Sequence, residues 1–262
     1  MSAAKHIPQE KAFACLDTVK ARVTHSLTKP NFLTRTKLFA ATMSLALSIS
    51  NIALTPLMVS ACVCSEVKVP KTEPADIDPK KGYEWSYTRE RDTEFSDAVK
   101  HAKDFCIEYK KNHPKENLAI VSDIDETVLD NREILKSFSK DHWDAFFLWI
   151  DEARAPKLKE SADFLQWARD NGFFVFLITG RHEKDRGFTI VNLNHQGISY
   201  DGLYLRTPTD NRPAEIYKTE AREQIEKMGF KIVENIGDQF SDLAGGHSED
   251  CQKLPNRMYF IE

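Results

Sequence analysis

Short apolar runs that stop abruptly at polar residues constrain this chain more than any other feature. Leu118-Ala119-Ile120-Val121 stops at Ser122-Asp123-Ile124-Asp125, and Phe173 to Ile178 stops at Thr179-Gly180-Arg181. Ile232-Val233 and Asn235-Ile236 run up to Gly237-Asp238, and Asp201-Gly202-Leu203-Tyr204-Leu205 forms another short run. Runs this short, bounded by turn residues, read as buried strands. Helical stretches alternate with them. Residues 89–112 place Phe95, Ala98, Val99, Ala102, Phe105, Cys106 and Tyr109 on one stripe. Residues 157–171 follow Pro156 and stop at Gly172, and residues 217–228 stop at Gly229. Met258 to Ile261 is predicted as a last strand. The alternation predicts an α/β fold: a mostly parallel sheet with helices on both faces.

Composition narrows the class further. With 41% hydrophobic and 29% charged residues in 262, the chain is neither disordered, collagen-like nor a polytopic membrane protein. A pI near 6.1 lacks the basic excess of a dedicated nucleic-acid binder, so no nucleic acid polymer is expected as partner. Five cysteines are too few for a disulfide scaffold.

Charge is distributed unevenly. Residues 1–61 hold seven Lys/Arg against two acids, net +5, whereas residues 62–262 are net −9. Residues 38–61 carry no charge across 24 positions, 16 of them apolar. Two readings stand for this stretch: a transmembrane anchor, or a secretory leader. Its end, Val59-Ser60-Ala61-Cys62, resembles a bacterial lipobox, in which the cysteine is lipidated and becomes the new N-terminus. Cys64 fits less well because Val63 precedes it. Either reading places the body at the cell envelope, facing the periplasm or exterior, held by a lipid anchor or an N-terminal helix. Residues 62–82, with three prolines and many charges, read as a solvated tether. The body is then residues 83–262.

In a parallel α/β sheet, ligands bind beyond the carboxyl ends of the strands. Asp123, Asp125, Thr179, Gly180, Arg181, Asp238 and Asp242 follow strands, and Lys218 is placed at the start of a helix. Three or more carboxylates at one site repel unless a cation joins them. Oxygen-only donors suggest Mg²⁺. A lysine and a threonine hydroxyl beside that cation suit a phosphoryl group. Of the two neighbouring aspartates, one can attack phosphorus and the other can protonate the leaving oxygen. Each piece alone is weak; acids and glycines often follow strands as turn residues. The joint order carries the reading.

On these motifs the chain resembles the haloacid dehalogenase (HAD) superfamily, and within it the subfamily IIIB acid phosphatases. That group includes bacterial class C acid phosphatases, often lipoproteins, and plant vegetative storage proteins. Asp123 to Asn131 is similar to its first motif, Phe176 to Arg181 to its second, Tyr217-Lys218-Thr219 with Arg222 to its third, and Asn235 to Leu243 to its fourth. The resemblance implies a three-layer HAD-like Rossmannoid sheet with a helical cap inserted between the first two motifs, at about residues 131–156. It implies Asp123 as nucleophile, Asp125 as general acid and then base, and Thr179, Gly180 and Lys218 around the phosphoryl oxygens. It implies a Mg²⁺ site from Asp123, the Asp125 carbonyl, Asp238 and Asp242. Asn131 and Arg181 are further candidates near the phosphate. The cap is rich in aromatics, of which Trp143 and Phe147 are candidate substrate contacts and the others helix core. Arg132-Glu133-Ile134 lacks the aromatic usual in bacterial class C members, and Gln239-Phe240 is closer to the plant form.

The implied activity is hydrolysis of small phosphomonoesters (nucleotides or aryl and alkyl phosphates) through an aspartyl-phosphate. A phosphotransferase is a variant of it. The competing reading is a non-catalytic surface binding or storage protein of the same fold. His182 is expected as a solvated turn residue. Cys106 and Cys251 could pair in an oxidising compartment, and a free buried Cys106 is the other option.

Overall fold

A computed structural model describes residues 63–261, apart from 73, 76 and 137–142. The apolar stretch 38–61 and Cys62 lie outside the described residues, so the leader readings rest on sequence alone. Among the described residues, no helix is long and apolar enough to cross a membrane.

Five strands form one parallel sheet: β1 (Leu118–Ser122), β2 (Phe174–His182), β3 (Gly202–Arg206), β4 (Lys231–Gly237) and β5 (Asp250–Lys253). Their order is β3-β2-β1-β4-β5, so the chain steps outward one way to β3 and then crosses to the other side of β1. That reversal opens a crevice at the carboxyl ends of β1 and β4.

The helices follow from the stripes in the sequence. α1 (Pro79–Trp85) is capped by Asp78, whose carboxylate accepts from the Lys80 and Lys81 amides at 3.1 Å. α2 (Arg89–Asn112) matches the predicted range and buries Phe95, Val99, Ala102 and Cys106. α3 (Arg132–Leu135) and α4 (Trp143–Glu152) are the described helices of the cap region. α5 (Lys159–Asp170), α6 (Arg186–His195), α7 (Ala214–Lys227) and α8 (Phe240–Leu243) complete the set. One core joins α2 and α5 to the sheet through Ile120, Val175 and Leu177. On the alternate parity of β2, Phe174 and Phe176 instead meet Phe230, with ring centroids 4.8 and 5.0 Å away. Alternation along one strand thus supplies both layers.

Several expectations are corrected. The last strand is Asp250–Lys253, not Met258–Ile261. Asp-Cys-Gln-Lys has no apolar run; it is an edge strand held by main-chain pairing, with Asn235 opposite Cys251 and Gly237 opposite Lys253. Met258 and Tyr259 instead bury their side chains against Leu135, Phe146 and Ile150. β2 extends to His182 with a register irregularity after Thr179, so Thr179-Gly180-Arg181 belongs to the frayed strand end and not to a turn. Lys218 lies one turn inside α7.

The segment read as a tether also touches the body. Cys64 is buried within a 3₁₀ turn over residues 63–66. Its thiol lies close to that of Cys251. Cys251 therefore neighbours Cys64, and Cys106 is free and buried on α2, the second of the two options the sequence left open. At Gly82, a β-carbon would stand 1.9 Å from the Arg257 carbonyl oxygen, so only glycine lets α1 lie against the C-terminal segment.

Candidate active site

The site grows from the end of β1. The Asp123 amide donates to the Ile236 carbonyl at 3.0 Å, which locks the first residue after β1 to β4. The chain then turns: the Val128 and Leu129 amides both donate to the Ile124 carbonyl at 2.9 Å. Glu126 takes φ +53° within this turn. Its buried carboxyl accepts from the Asn131 amide at 2.9 Å and from the Tyr259 hydroxyl, and these contacts hold the unusual backbone in place.

Four residues from three segments converge at the crevice. The Lys218 ammonium donates to Asp123 at 2.7 Å and to Asp242. Asp238 joins them: oxygens of Asp123, Asp238 and Asp242 all lie within 4.8 Å of one another. All four residues are buried. Burial pushes the Asp123 carboxyl well above its usual range; Lys218 opposes the shift, while Asp242 and Asp238 add to it. The Asp238 carboxyl is pushed up to about 6, by burial first and then by Asp242. Burial works against the charge on Lys218, but Asp123 and Asp242 outweigh it and hold the ammonium protonated. Three carboxylates face one ammonium, so the cluster lacks positive charge. Its donors are all oxygens, which fits a hard divalent cation.

Asp238 is oriented by three donors: Gln239 Nε2 at 2.6 Å, Asn256 Nδ2 at 2.7 Å and Thr127 Oγ1 at 3.3 Å. The Gln239 amide donates to Asp242 at 2.8 Å, closing a cap at the start of α8. Arg222, read only as part of the third motif, is fully buried and donates to the Asp242 and Gly246 carbonyls at 2.7 and 2.8 Å. It braces the loop that carries the acids.

Asp125 stands apart from that cluster. Arg181 grips it through Nε and Nη2, and Asn131 Nδ2 donates to it at 2.9 Å. Trp149 Nε1 fixes Asn131 from behind at 2.8 Å. Asn131 and Arg181, read as candidates near the phosphate, are thus engaged with Asp125. Thr179 is fully buried, and its Oγ1 accepts the Arg181 amide at 3.1 Å; Gly180, not Thr179, lines the open space.

That space is a cavity of about 340 Å³ over Asp123, Asp125, Lys218, Asp238 and Asp242. α4 forms its apolar wall with Trp143, Phe146, Phe147 and Ile150, joined by Tyr259 and Ile261 from the C-terminal segment. Both predicted aromatic contacts, Trp143 and Phe147, are in this wall. Phe147 stacks on His182, ring centroids 5.5 Å apart, so His182 belongs to the cavity and not to a solvated turn. Motif reading gave no role to Arg206, Tyr217, Ser241, Asn256 or Tyr259. Tyr217 and Ser241 sit inside motif segments, beside residues already singled out. No local signal marks the other three.

The family model for the HAD superfamily, subfamily IIIB (acid phosphatase), matches residues 43–262, starting within the apolar stretch. Acid phosphatase 1 of Solanum lycopersicum is 39% identical over 151 residues, covering 54% of this chain and 58% of that protein. The Stem 28 kDa glycoprotein of Glycine max is 35% identical over 159 residues, 57% of this chain and 62% of that protein. The chain therefore spans less than two thirds of the length of these relatives. The class C acid phosphatase of Bacillus anthracis superposes with a TM-score of 0.58 at 23% identity, over 69% of this chain and 84% of that one; its tungstate-bound form gives 0.53. These structures share the fold.

Proposed function

Because the chain belongs to the HAD superfamily, subfamily IIIB of acid phosphatases, we propose that it hydrolyses small phosphomonoesters with the help of a divalent cation, Mg²⁺ by the chemistry of its donors. The observation that carries this reading is the Lys218 ammonium set between Asp123 and Asp242, with Asp238 alongside, at the floor of a cavity with an aromatic wall.

Asp123, Asp238 and Asp242 would hold the cation, which when bound supplies positive charge against the phosphoryl oxygens. Lys218 adds a fixed charge to the same oxygens. Asp123 attacks phosphorus; its oxygen–phosphorus bond forms as the bond to the leaving oxygen breaks. Asp125 gives that oxygen a proton. A water then attacks the aspartyl-phosphate and returns a proton to Asp125, freeing Asp123 and inorganic phosphate. Oδ1 of Asp125 accepts from Nε and Nη2 of Arg181 and from Asn131, whereas among the described residues Oδ2 accepts only from Arg181 Nε. Oδ2 is therefore the oxygen with room to carry the proton. The Trp143 and Phe147 wall suits an aromatic leaving group such as a nucleobase or phenol.

A non-catalytic storage role is the second reading, since the resemblance extends to plant vegetative storage proteins. The presence of Asp123, Asp125, Lys218, Asp238 and Asp242 together favours the enzyme. The test is turnover of a phosphomonoester panel with and without EDTA at acid and neutral pH. Wild type should turn over, and stopped samples should show phosphate on Asp123. Asp123→Asn should do neither. Absence of turnover across the panel with Mg²⁺ present would favour the storage role, and phosphate on any other residue would overturn the assignment.

The lipobox reading of Val59-Ser60-Ala61-Cys62, and with it an envelope location, is part of the same proposal and is supported by sequence alone. Labelled fatty acid should enter wild type and not Cys62→Ser; equal labelling would put the membrane-anchor reading ahead.

A further inference from the structure

Two hydroxyls of the cavity lining, those of Tyr217 and Ser241, have neither a task in the mechanism above nor a hydrogen-bond partner among the described residues, and that of Tyr217 stands beside Lys218. Tyr217 Oη is shielded from solvent and has no hydrogen-bond partner among the described residues. A buried hydroxyl left unsatisfied is unfavourable, so native structures rarely keep one without a reason. Tyr217 lines the cavity beside Lys218.

Three features place Tyr217 beside the reaction centre. Gly180 lies against it: a β-carbon there would stand 3.2 Å from Tyr217 Oη, so the glycine relieves crowding around the buried hydroxyl. The Arg206 guanidinium sits 5.3 Å from the ring centroid and steadies the ring. Arg206 does not engage the hydroxyl, since it donates to the Asp210 carbonyl at 2.6 Å and to the Arg212 carbonyl. The charges acting on the phenol include Lys218, Asp242 and Asp123, the groups that flank the attacked phosphorus. Burial pushes the phenol up to about 12, opposed by Lys218 and helped by Asp242 and Asp123, so it keeps its proton and can donate.

We propose that Tyr217 Oη is a substrate-binding donor that hydrogen-bonds a non-bridging oxygen of the phosphoryl group held by Lys218. The inference rests on the phosphomonoesterase reading. It explains why a tyrosine whose hydroxyl has no hydrogen-bond partner among the described residues stands next to the lysine: the ligand completes it.

The experiment measures binding, not turnover. Orthophosphate and tungstate are titrated calorimetrically into the full chain with Mg²⁺ present, using wild type, Tyr217→Phe and Lys218→Met. Removing a hydrogen bond to a charged group should weaken both oxyanions by about 10-fold or more in Tyr217→Phe. Its melting temperature without ligand should equal or exceed that of wild type, because the lost hydroxyl has no hydrogen-bond partner among the described residues. Unchanged oxyanion affinity in Tyr217→Phe, with Lys218→Met weakened, would overturn the role of Tyr217 and leave the phosphatase reading standing. A lowered melting temperature would overturn it too, by revealing a structural partner. No oxyanion binding by wild type would instead remove the phosphatase reading on which it rests.

Discussion

The Arg181 guanidinium holds the Asp125 carboxylate in a two-pronged grip, with Nε 3.0 Å from Oδ2 and Nη2 2.6 Å from Oδ1. The residue that ends the second motif therefore serves the first. Arg181→Lys replaces a planar fork by a point charge and frees the carboxylate to swing. We expect kcat to fall on the order of 10²-fold, and more for alkyl than for aryl phosphates, whose good leaving groups need little protonation. Asp125→Asn should show the same ordering, with a loss of roughly 10²–10⁴-fold. Equal losses for both ester types in Arg181→Lys, together with weaker phosphate binding, would place Arg181 on the phosphate instead.

Removing the cation should stop turnover without unfolding the domain. The acids lie at strand ends, whereas the core of Phe95, Ile120, Val175 and Leu177 is built from other residues. Excess EDTA should abolish activity while far-UV circular dichroism is unchanged, and Mg²⁺ should restore it. Full activity in EDTA would sink a cation-assisted mechanism.

Glu234 predicts a pH effect on stability. It is fully buried in β4, opposite Asp250 of β5, with Cys64 and Cys106 also facing it. His101 reaches the far side of Asp250 at 3.3 Å. Burial, then Asp250, pushes the Glu234 carboxyl well above its ordinary 4.5. Below that ordinary value both folded and unfolded chains carry the proton and nothing is lost. As pH rises, the unfolded chain ionises while the folded one stays neutral, so folding loses about 1.4 kcal/mol per pH unit until the raised value is reached. Glu234→Gln removes this loss. Its melting temperature should exceed that of wild type by roughly 3 °C or more at pH 7.5, and the gain should vanish near pH 4. A gain independent of pH would assign the effect to packing.

The cysteines offer a test of the N-terminal segment. With oxidised glutathione, the adjacent thiols of Cys64 and Cys251 should join by disulfide exchange: the pair loses two hydrogens and the oxidant becomes two thiols. Digestion under non-reducing conditions should release a peptide linking residues 64 and 251, with Cys106 still alkylatable. The link closes a long loop and should raise the melting temperature by several degrees, about 5 °C. A Cys106–Cys251 peptide would contradict the packing of residues 63–66.

The features legible before folding are local in character. Apolar runs and helical stripes marked β1 to β4 and α2, because hydropathy over a few residues reports burial directly. The acids that end those strands, and Lys218, were legible because a parallel sheet sends strand ends to one edge whatever the side chains later touch. Tertiary structure alone decided the rest. β5 is an edge strand held by main-chain pairing, and its Asp-Cys-Gln-Lys has no hydropathy to reveal it. Asn256 and Tyr259 reach Asp238 and Glu126 across 18 and 133 residues of sequence, with no motif of their own. Arg181 looked free to meet a phosphate until folding set it against Asp125, 56 residues away. A motif records which groups arrive at the sheet edge; which of them bond to one another depends on distances that only the packed chain creates.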